Sequence, residues 1–265
     1  MHVLITGATG GIGRGIAQSL QEDARRRGLA LRLSVAASRA GERLDALVKS
    51  LSTSDESIVG LHADVTDPQA CQALVNQAIQ AHGEIDALVC VAGASGPGQL
   101  KNLSVAQWDL TFNLNARSVW LLAQAAYPSL QRQRGSITAI ASMSGLHPHP
   151  GYGAYSSAKA ALIMLCRQLA QEWGMDGIRT NTVCPGMIRT PLTEAVYQNE
   201  DIKAQREALV PMGRIGQAQD IGAAVAYLIS PEASYVNGMN LVVDGGVSDH
   251  MLSMIPGRPG AQPVS

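Results

Sequence analysis

Seven short runs rich in branched apolar residues, separated by longer stretches with helical spacing, constrain this chain more than anything else in it. They are His2–Thr6, Leu31–Ala37, Ser57–His62, Ile85–Val91, Ser136–Ala141, Ile178–Cys184 and Asn240–Val243. Strands joined through helices must return across the sheet, which makes them parallel and lays helices on both faces. Strands covered on both sides must be apolar on both sides. The composition allows this: 46% of the 265 residues are hydrophobic and only 4% aromatic, so Val, Ile, Leu and Ala fill the core. The expectation is an α/β fold, a doubly wound parallel sheet of about seven strands, forming one domain over residues 1–250 with a tail at 251–265.

A formal charge of −1 with no polybasic run gives no electrostatic reason to expect nucleic acid or an anionic membrane as partner. Cys71, Cys90, Cys166 and Cys184 lie far apart in apolar runs and read as reduced, packed thiols. The chain enters a strand at His2 without an export segment and holds no apolar stretch of about 18 residues. A cytoplasmic protein is expected. Asp67 before Pro68 reads as a helix cap, and Arg25–Arg27 before Gly28 as a helix end. The stretch from Val247 to Ser265, rich in Gly and Pro near its end, is expected to be poorly ordered on its own.

Directly after the first run comes Thr6-Gly7-Ala8-Thr9-Gly10-Gly11-Ile12-Gly13, opening a helical pattern. Glycines let backbone approach a pyrophosphate without a Cβ in the way, and the unpaired amides of a helix start supply donors and partial positive charge. A Rossmann-type dinucleotide site is therefore expected on Thr6, Gly7, Thr9, Gly11, Ile12 and Gly13.

Tyr155 and Lys159 lie four apart at the start of a helical segment, hence on one face. A phenol that titrates near pH 10 exchanges protons near neutrality only if its anion is stabilised, and the ammonium of Lys159 is placed to do so. Ser142 closes a predicted strand at the sheet edge where ligands bind, and its hydroxyl can support charge growing on a carbonyl oxygen. A serine that merely caps its own backbone is the reading given to Ser144. Asn113 and Asn115 sit inside a helical stretch where asparagine is a poor choice unless its amide has a task; physics alone does not separate them.

These motifs together resemble the short-chain dehydrogenase/reductase family. The turn T-G-x-x-x-G-x-G, Trp108-Asp109 with Asn115, Ser142, Tyr155 with Lys159, Pro185-Gly186-Met187-Ile188-Arg189-Thr190 and Val243-Asp244-Gly245-Gly246 span nearly the whole chain. The resemblance selects Asn115 and implies an Asn115, Ser142, Tyr155, Lys159 tetrad. It implies that Tyr155 exchanges the proton, Lys159 also binds the nicotinamide ribose, Asn115 holds a proton-relaying water, and Pro185, Gly186, Ile188 and Thr190 hold the nicotinamide end. Asp64 and Val65, with Ala92 and Gly93, correspond to the adenosine side. One departure stands out: Cys90-Val91-Ala92-Gly93 replaces the usual N-N-A-G.

Ser38-Arg39 after the second strand carries no carboxylate to repel a 2'-phosphate, and Arg39 can clasp one, so NADP(H) is expected over NAD(H). By analogy with the family's loop over the substrate, the pocket is expected to draw on Ala94–Gly96, Met143–Tyr152 and Met187–Met212, with substrate contacts at Ser95, Ser144, His147, Tyr152 and Met187. His147 and His149 lack the acidic or Cys partners of a metal site, so no metal is expected. The expected function is NADP(H)-dependent hydride transfer to or from a carbonyl or secondary alcohol of a small molecule. A 3-oxoacyl-acyl-carrier-protein reductase is the alternative; Asp176 at the end of the Tyr155 helix would repel an acidic carrier. A non-catalytic NADP(H) sensor is the alternative of another class. The resemblance also implies a homo-oligomer, a tetramer or a dimer.

Overall fold

The computed structural model describes residues 1–52 and 57–254. Its elements run β1 (His2–Thr6), α1 (Gly11–Arg27), β2 (Arg32–Ala37), α2 (Glu42–Leu51), β3 (Ser57–His62), α3 (Pro68–His82), β4 (Ala87–Cys90), α4 (Val105–Phe112), α5 (Ser118–Gln133), β5 (Ser136–Ile140), α6 (Tyr155–Trp173), β6 (Arg179–Pro185), β7 (Ile188–Arg189), α7 (Glu194–Tyr197), α8 (Glu200–Ala208), β8 (Gly216–Gln217), α9 (Ala218–Ile229) and β9 (Asn240–Val243). Seven strands form one sheet in the order β3-β2-β1-β4-β5-β6-β9, every neighbouring pair parallel. This is a Rossmann-type doubly wound sheet, and its order reverses direction between β1 and β4. The two-residue strands β7 and β8 pair separately.

Two apolar layers sandwich the sheet. One joins α3, α5 and α6 through Leu74, Leu122, Leu130 and Leu162; the other joins α1, α2 and α9 through Ile16, Leu20, Leu47 and Val225. Val3, Leu4 and Ile5 of β1 are all 0% exposed, so alternate residues of one strand feed opposite layers. Local chemistry marks the boundaries. Asp67 accepts from Gln69 N at 3.1 Å with Pro68 at the first helical position of α3. Gly28 ends α1 at φ 64°, after Arg25–Arg27.

Between α4 and α5 the sequence pattern predicts uninterrupted helix. The chain instead makes one π-turn over Asn113–Arg117, where Ser118 N donates to Asn113 O. Helical spacing alone does not resolve a single added residue, and such turns gather at functional sites. The tail also departs from expectation at its start, since Val247–Met254 is a 3₁₀ run. Asp244 anchors it by accepting from Gly246 N and Ser248 N, both at 2.8 Å. Residues 255–265 of the expected tail lie outside the described residues.

Candidate active site

Six strands deliver their carboxyl ends to a single cleft of about 670 Å³. Thr6 to Gly13 follow β1, Ala36 to Ser38 end β2, Ala63 to Val65 follow β3, Val91 to Ser95 follow β4, Ile140 to Ser144 end β5, and Pro185 to Ile188 end β6. Tyr155 and Lys159 reach in from α6. Every residue nominated from the sequence lies in this lining except Arg39, Asn115 and His147. Arg39 is exposed at the turn one residue past Ser38, and His147 is exposed outside the cleft. His149, not His147, faces it.

The glycine turn is shaped for a phosphate. The first helical hydrogen bond of α1 runs from Arg14 N to Gly10 O at 2.9 Å, so the amides of Gly11, Ile12 and Gly13 precede the ladder and have no intrahelical acceptor. Gly7 has φ 65°, and a Cβ there would sit 2.6 Å from Ala92 N; a Cβ on Gly11 would sit 2.6 Å from Thr190 Cβ. At the end of β1 the buried Thr6 Oγ1 finds no partner among the described residues. The cradle therefore combines open donors, side-chain-free backbone and an unspent hydroxyl, which fits a dinucleotide pyrophosphate. Asp64 is committed locally, accepting from Thr66 N at 2.9 Å and Thr66 Oγ1 at 2.7 Å, and these bonds hold its carboxyl below the usual range.

Lys159 is 3% exposed and donates from Nζ to Ile140 O at 2.8 Å. Burial pulls its pKa down to about 8. Three thiols, Cys184, Cys166 and Cys90, surround it, so Cys90 places a neutral thiol where the family's usual motif would place an amide. Ser142 Oγ accepts from Ser144 N at 3.0 Å and lines the cleft beside Tyr155. The backbone cap assigned to Ser144 thus belongs to Ser142, because the chain turns into a 3₁₀ helix at Met143–Gly145 and directs Ser144 N back at it. Ser144 Oγ instead meets His149 Nδ1 at 2.9 Å, and the His149 ring packs 4.0 Å from Tyr152.

One expectation is corrected. Burial raises the Tyr155 phenol above its ordinary value, with the Ser142 hydrogen bond opposing it. The ammonium spends its hydrogen bond on Ile140 O, not on the phenol.

Asn115 is 1% exposed and aligned by the π-turn; its Nδ2 donates to Ala94 O at 2.9 Å and Thr111 O at 3.0 Å. Its Oδ1 is buried without a partner among the described residues. A Cβ on Gly93 would meet that Oδ1 at 2.8 Å and Lys159 Nζ at 3.2 Å, so Gly93 keeps open the space the two groups share. Among the described residues no three His, Cys, Asp or Glu side chains converge as a metal site, and no helix is long and apolar enough to cross a membrane. The family resemblance implies a loop over the substrate from Met187 to Met212, and of that stretch Leu192, Thr193, Tyr197 and Arg206 also line the cleft, although nothing in the sequence marks these four individually. They lie on a segment whose path over the sheet leaves no local pattern.

A Rossmann-type sheet with a phosphate-shaped turn and a Tyr, Ser and Lys group in one cleft defines a dinucleotide-dependent oxidoreductase class. A family model described as enoyl-(acyl carrier protein) reductase matches residues 7–248, and the chain belongs to the short-chain dehydrogenase/reductase family. The 3-oxoacyl-acyl-carrier-protein reductase FabG of Staphylococcus aureus is 32% identical over 245 residues, covering 92% of this chain and 96% of that one. Oxidoreductase UcpA of Salmonella typhimurium is 32% identical over 251 residues, covering 92% of each chain. A mutant short-chain dehydrogenase/reductase of Serratia marcescens superposes with a TM-score of 0.84 at 29% identity, covering 93% of this chain and 97% of that one.

Proposed function

We propose that this protein is an NADP(H)-dependent oxidoreductase that interconverts a carbonyl and a secondary alcohol on a small molecule. The observation that carries the proposal is that Tyr155, Ser142 and Lys159 line the same cleft as the glycine cradle. When bound, the nicotinamide supplies the hydride taken up by the carbonyl carbon, or accepts one in the reverse direction. Tyr155 gives its Oη proton to the carbonyl oxygen. Ser142 is held by Ser144 N and keeps its own hydroxyl proton to donate to the same oxygen as negative charge develops there. Lys159 stabilises the phenolate that remains, and the unpartnered Asn115 Oδ1 beside it suits a water that returns the proton. Thr6 and the amides of Gly11, Ile12 and Gly13 would hold the pyrophosphate; Asp64, Val65, Ala92 and Gly93 would bind on the adenosine side, and Pro185, Gly186, Ile188 and Thr190 on the nicotinamide side.

Ser38 and Arg39 support NADP(H). A guanidinium that clasps the 2'-phosphate contributes roughly 1.5–3 kcal/mol, or about one to two decades in affinity. Spectrophotometric assay of ketones, aldehydes and secondary alcohols with each cofactor tests both statements. Turnover with NADPH at higher kcat/KM than with NADH is expected; equal values would remove the Arg39 argument, and cofactor binding without any turnover would favour a sensor. A small free substrate is preferred to an acyl carrier because Asp176 is acidic, although it also has a structural task, accepting from Tyr127 Oη at 2.9 Å and Gln131 Nε2 at 3.1 Å. Trp108, Trp120 and Met164 leave exposed apolar surface on α4, α5 and α6, which supports a two-fold assembly through these helices.

A further inference from the structure

Four cations stand on the segment from β7 to the start of α9. Arg189 pairs with Glu194 at 2.6 Å, Lys203 with Glu200 at 3.1 Å, and Arg214 with Asp220 at 2.7 Å. Arg206 on α8 is the exception: among the described residues no carboxylate lies within ion-pair distance of it. Its guanidinium lies 5.6 Å from the ring centre of Tyr197, a residue only 2% exposed, with a long 3.5 Å contact to the Tyr197 hydroxyl. That ring fixes the side chain without neutralising it. Arg206 lines the same cleft as Tyr155. Among the described residues the one carboxylate in that lining, Asp64, is already bonded to Thr66. Apart from Lys159, which the catalytic group uses, the cleft therefore offers one cation with an open hydrogen-bonding edge among the described residues. Met143, Met187 and Leu192 supply adaptable apolar surface in the same lining.

We propose that the substrate is an oxo acid, or the corresponding hydroxy acid, whose free carboxylate is held by Arg206 while its hydrocarbon chain lies against Met143, Met187 and Leu192. The proposal rests on the carbonyl-reductase reading and narrows it. A planar guanidinium presents two parallel donors to a carboxylate, a match that an ester or a thioester cannot use with the same strength.

The test takes straight-chain oxo acids that differ in the spacing of ketone and carboxylate, each beside its methyl ester, with wild type, Arg206→Met and Arg206→Lys. Wild type is expected to favour the acid at the best spacing. In Arg206→Met the acid-to-ester ratio of kcat/KM should fall about ten- to hundredfold, mainly through KM, because a remote carboxylate is held equally in ground and transition states. Arg206→Lys should return an intermediate ratio. Equal use of acid and ester by wild type, or an acid preference that survives in Arg206→Met, overturns the proposal. Wild-type turnover of neutral ketones alongside either result leaves the reductase reading standing, whereas no turnover of any carbonyl with either cofactor removes both.

Discussion

The Lys159 ammonium lies 5.7 Å from the centre of the Tyr155 ring, while its hydrogen bond runs to the Ile140 carbonyl at 2.8 Å. The two side chains share one helix face, as their spacing requires, but the charge is held by the end of β5. Burial holds the Tyr155 phenol above its ordinary value, and the ammonium hydrogen-bonds a backbone carbonyl instead of the phenol.

Replacing the phenol should remove the proton and little else. Tyr155→Phe is expected to lower kcat by about a hundredfold or more while leaving the dissociation constant for NADPH within a few-fold of wild type. Rapid mixing and fluorescence titration read the two quantities, and retention of a tenth of wild-type kcat would contradict the assignment.

Lys159 costs stability where it sits. Its folded-state pKa of about 8 lies below the ordinary 10.5, so at neutral pH burying the charge costs about 3 kcal/mol, and the cost shrinks as pH rises through that window. Lys159→Met also gives up the charge-assisted bond to Ile140 O, worth roughly 1.5–3 kcal/mol, so a net gain of up to about 1.5 kcal/mol is expected together with lost turnover. Urea unfolding at neutral pH measures it; a lower midpoint would show that the lysine is structurally required.

The glycine turn admits no methyl group at its tightest point. A Cβ on Gly13 would run into the backbone carbonyl of Gly7, so the turn must open. Gly13→Ala is expected to weaken NADPH binding at least tenfold and to destabilise the protein by about 1–3 kcal/mol. Calorimetric titration and thermal unfolding report these separately, and normal affinity would place the dinucleotide elsewhere.

At the opposite end of the sheet, His2 and His82 form a buried edge-to-face pair with ring centres 5.2 Å apart. His2 contacts Ser34 Oγ and the carbonyls of Gly83 and Glu84, with Asp86 and Arg32 close by, while His82 Nε2 has no partner among the described residues. Burial lowers both pKa values below 6.5. The unfolded chain then takes up protons that the folded chain refuses, so stability falls as pH drops below about 6.5. Denaturant midpoints at about pH 7.5 and 5.5 should show the loss, and His82→Leu should reduce it. A slope unaffected by that substitution would assign the acid sensitivity to other groups.

Most of the frame could be read from residue order, because each strand is a short run whose apolar character is local: the predicted ends of β1, β3 and β9 coincide with those observed. The glycine cradle and the Tyr155–Lys159 spacing were legible for the same reason, since each lies within one turn of chain. The direction of the Lys159 hydrogen bond was not, because Ile140 is brought in by another strand. Nor was Arg206, whose meaning depends on three neighbouring cations being neutralised and on itself being left over. Ser142 and Ser144 exchanged tasks through a single 3₁₀ turn that neither residue announces.

The π-turn at Asn113–Arg117 works as an angular offset. One residue added to a helix rotates everything after it by about 100°, so α4 and α5 form one continuous rod whose halves are clocked independently. The first half can aim the Asn115 amide at the gap beside Gly93, and the second can still point Val119, Leu122 and Ala126 inward. Excising a single residue there would force a choice between a correctly dialled amide and a properly seated helix.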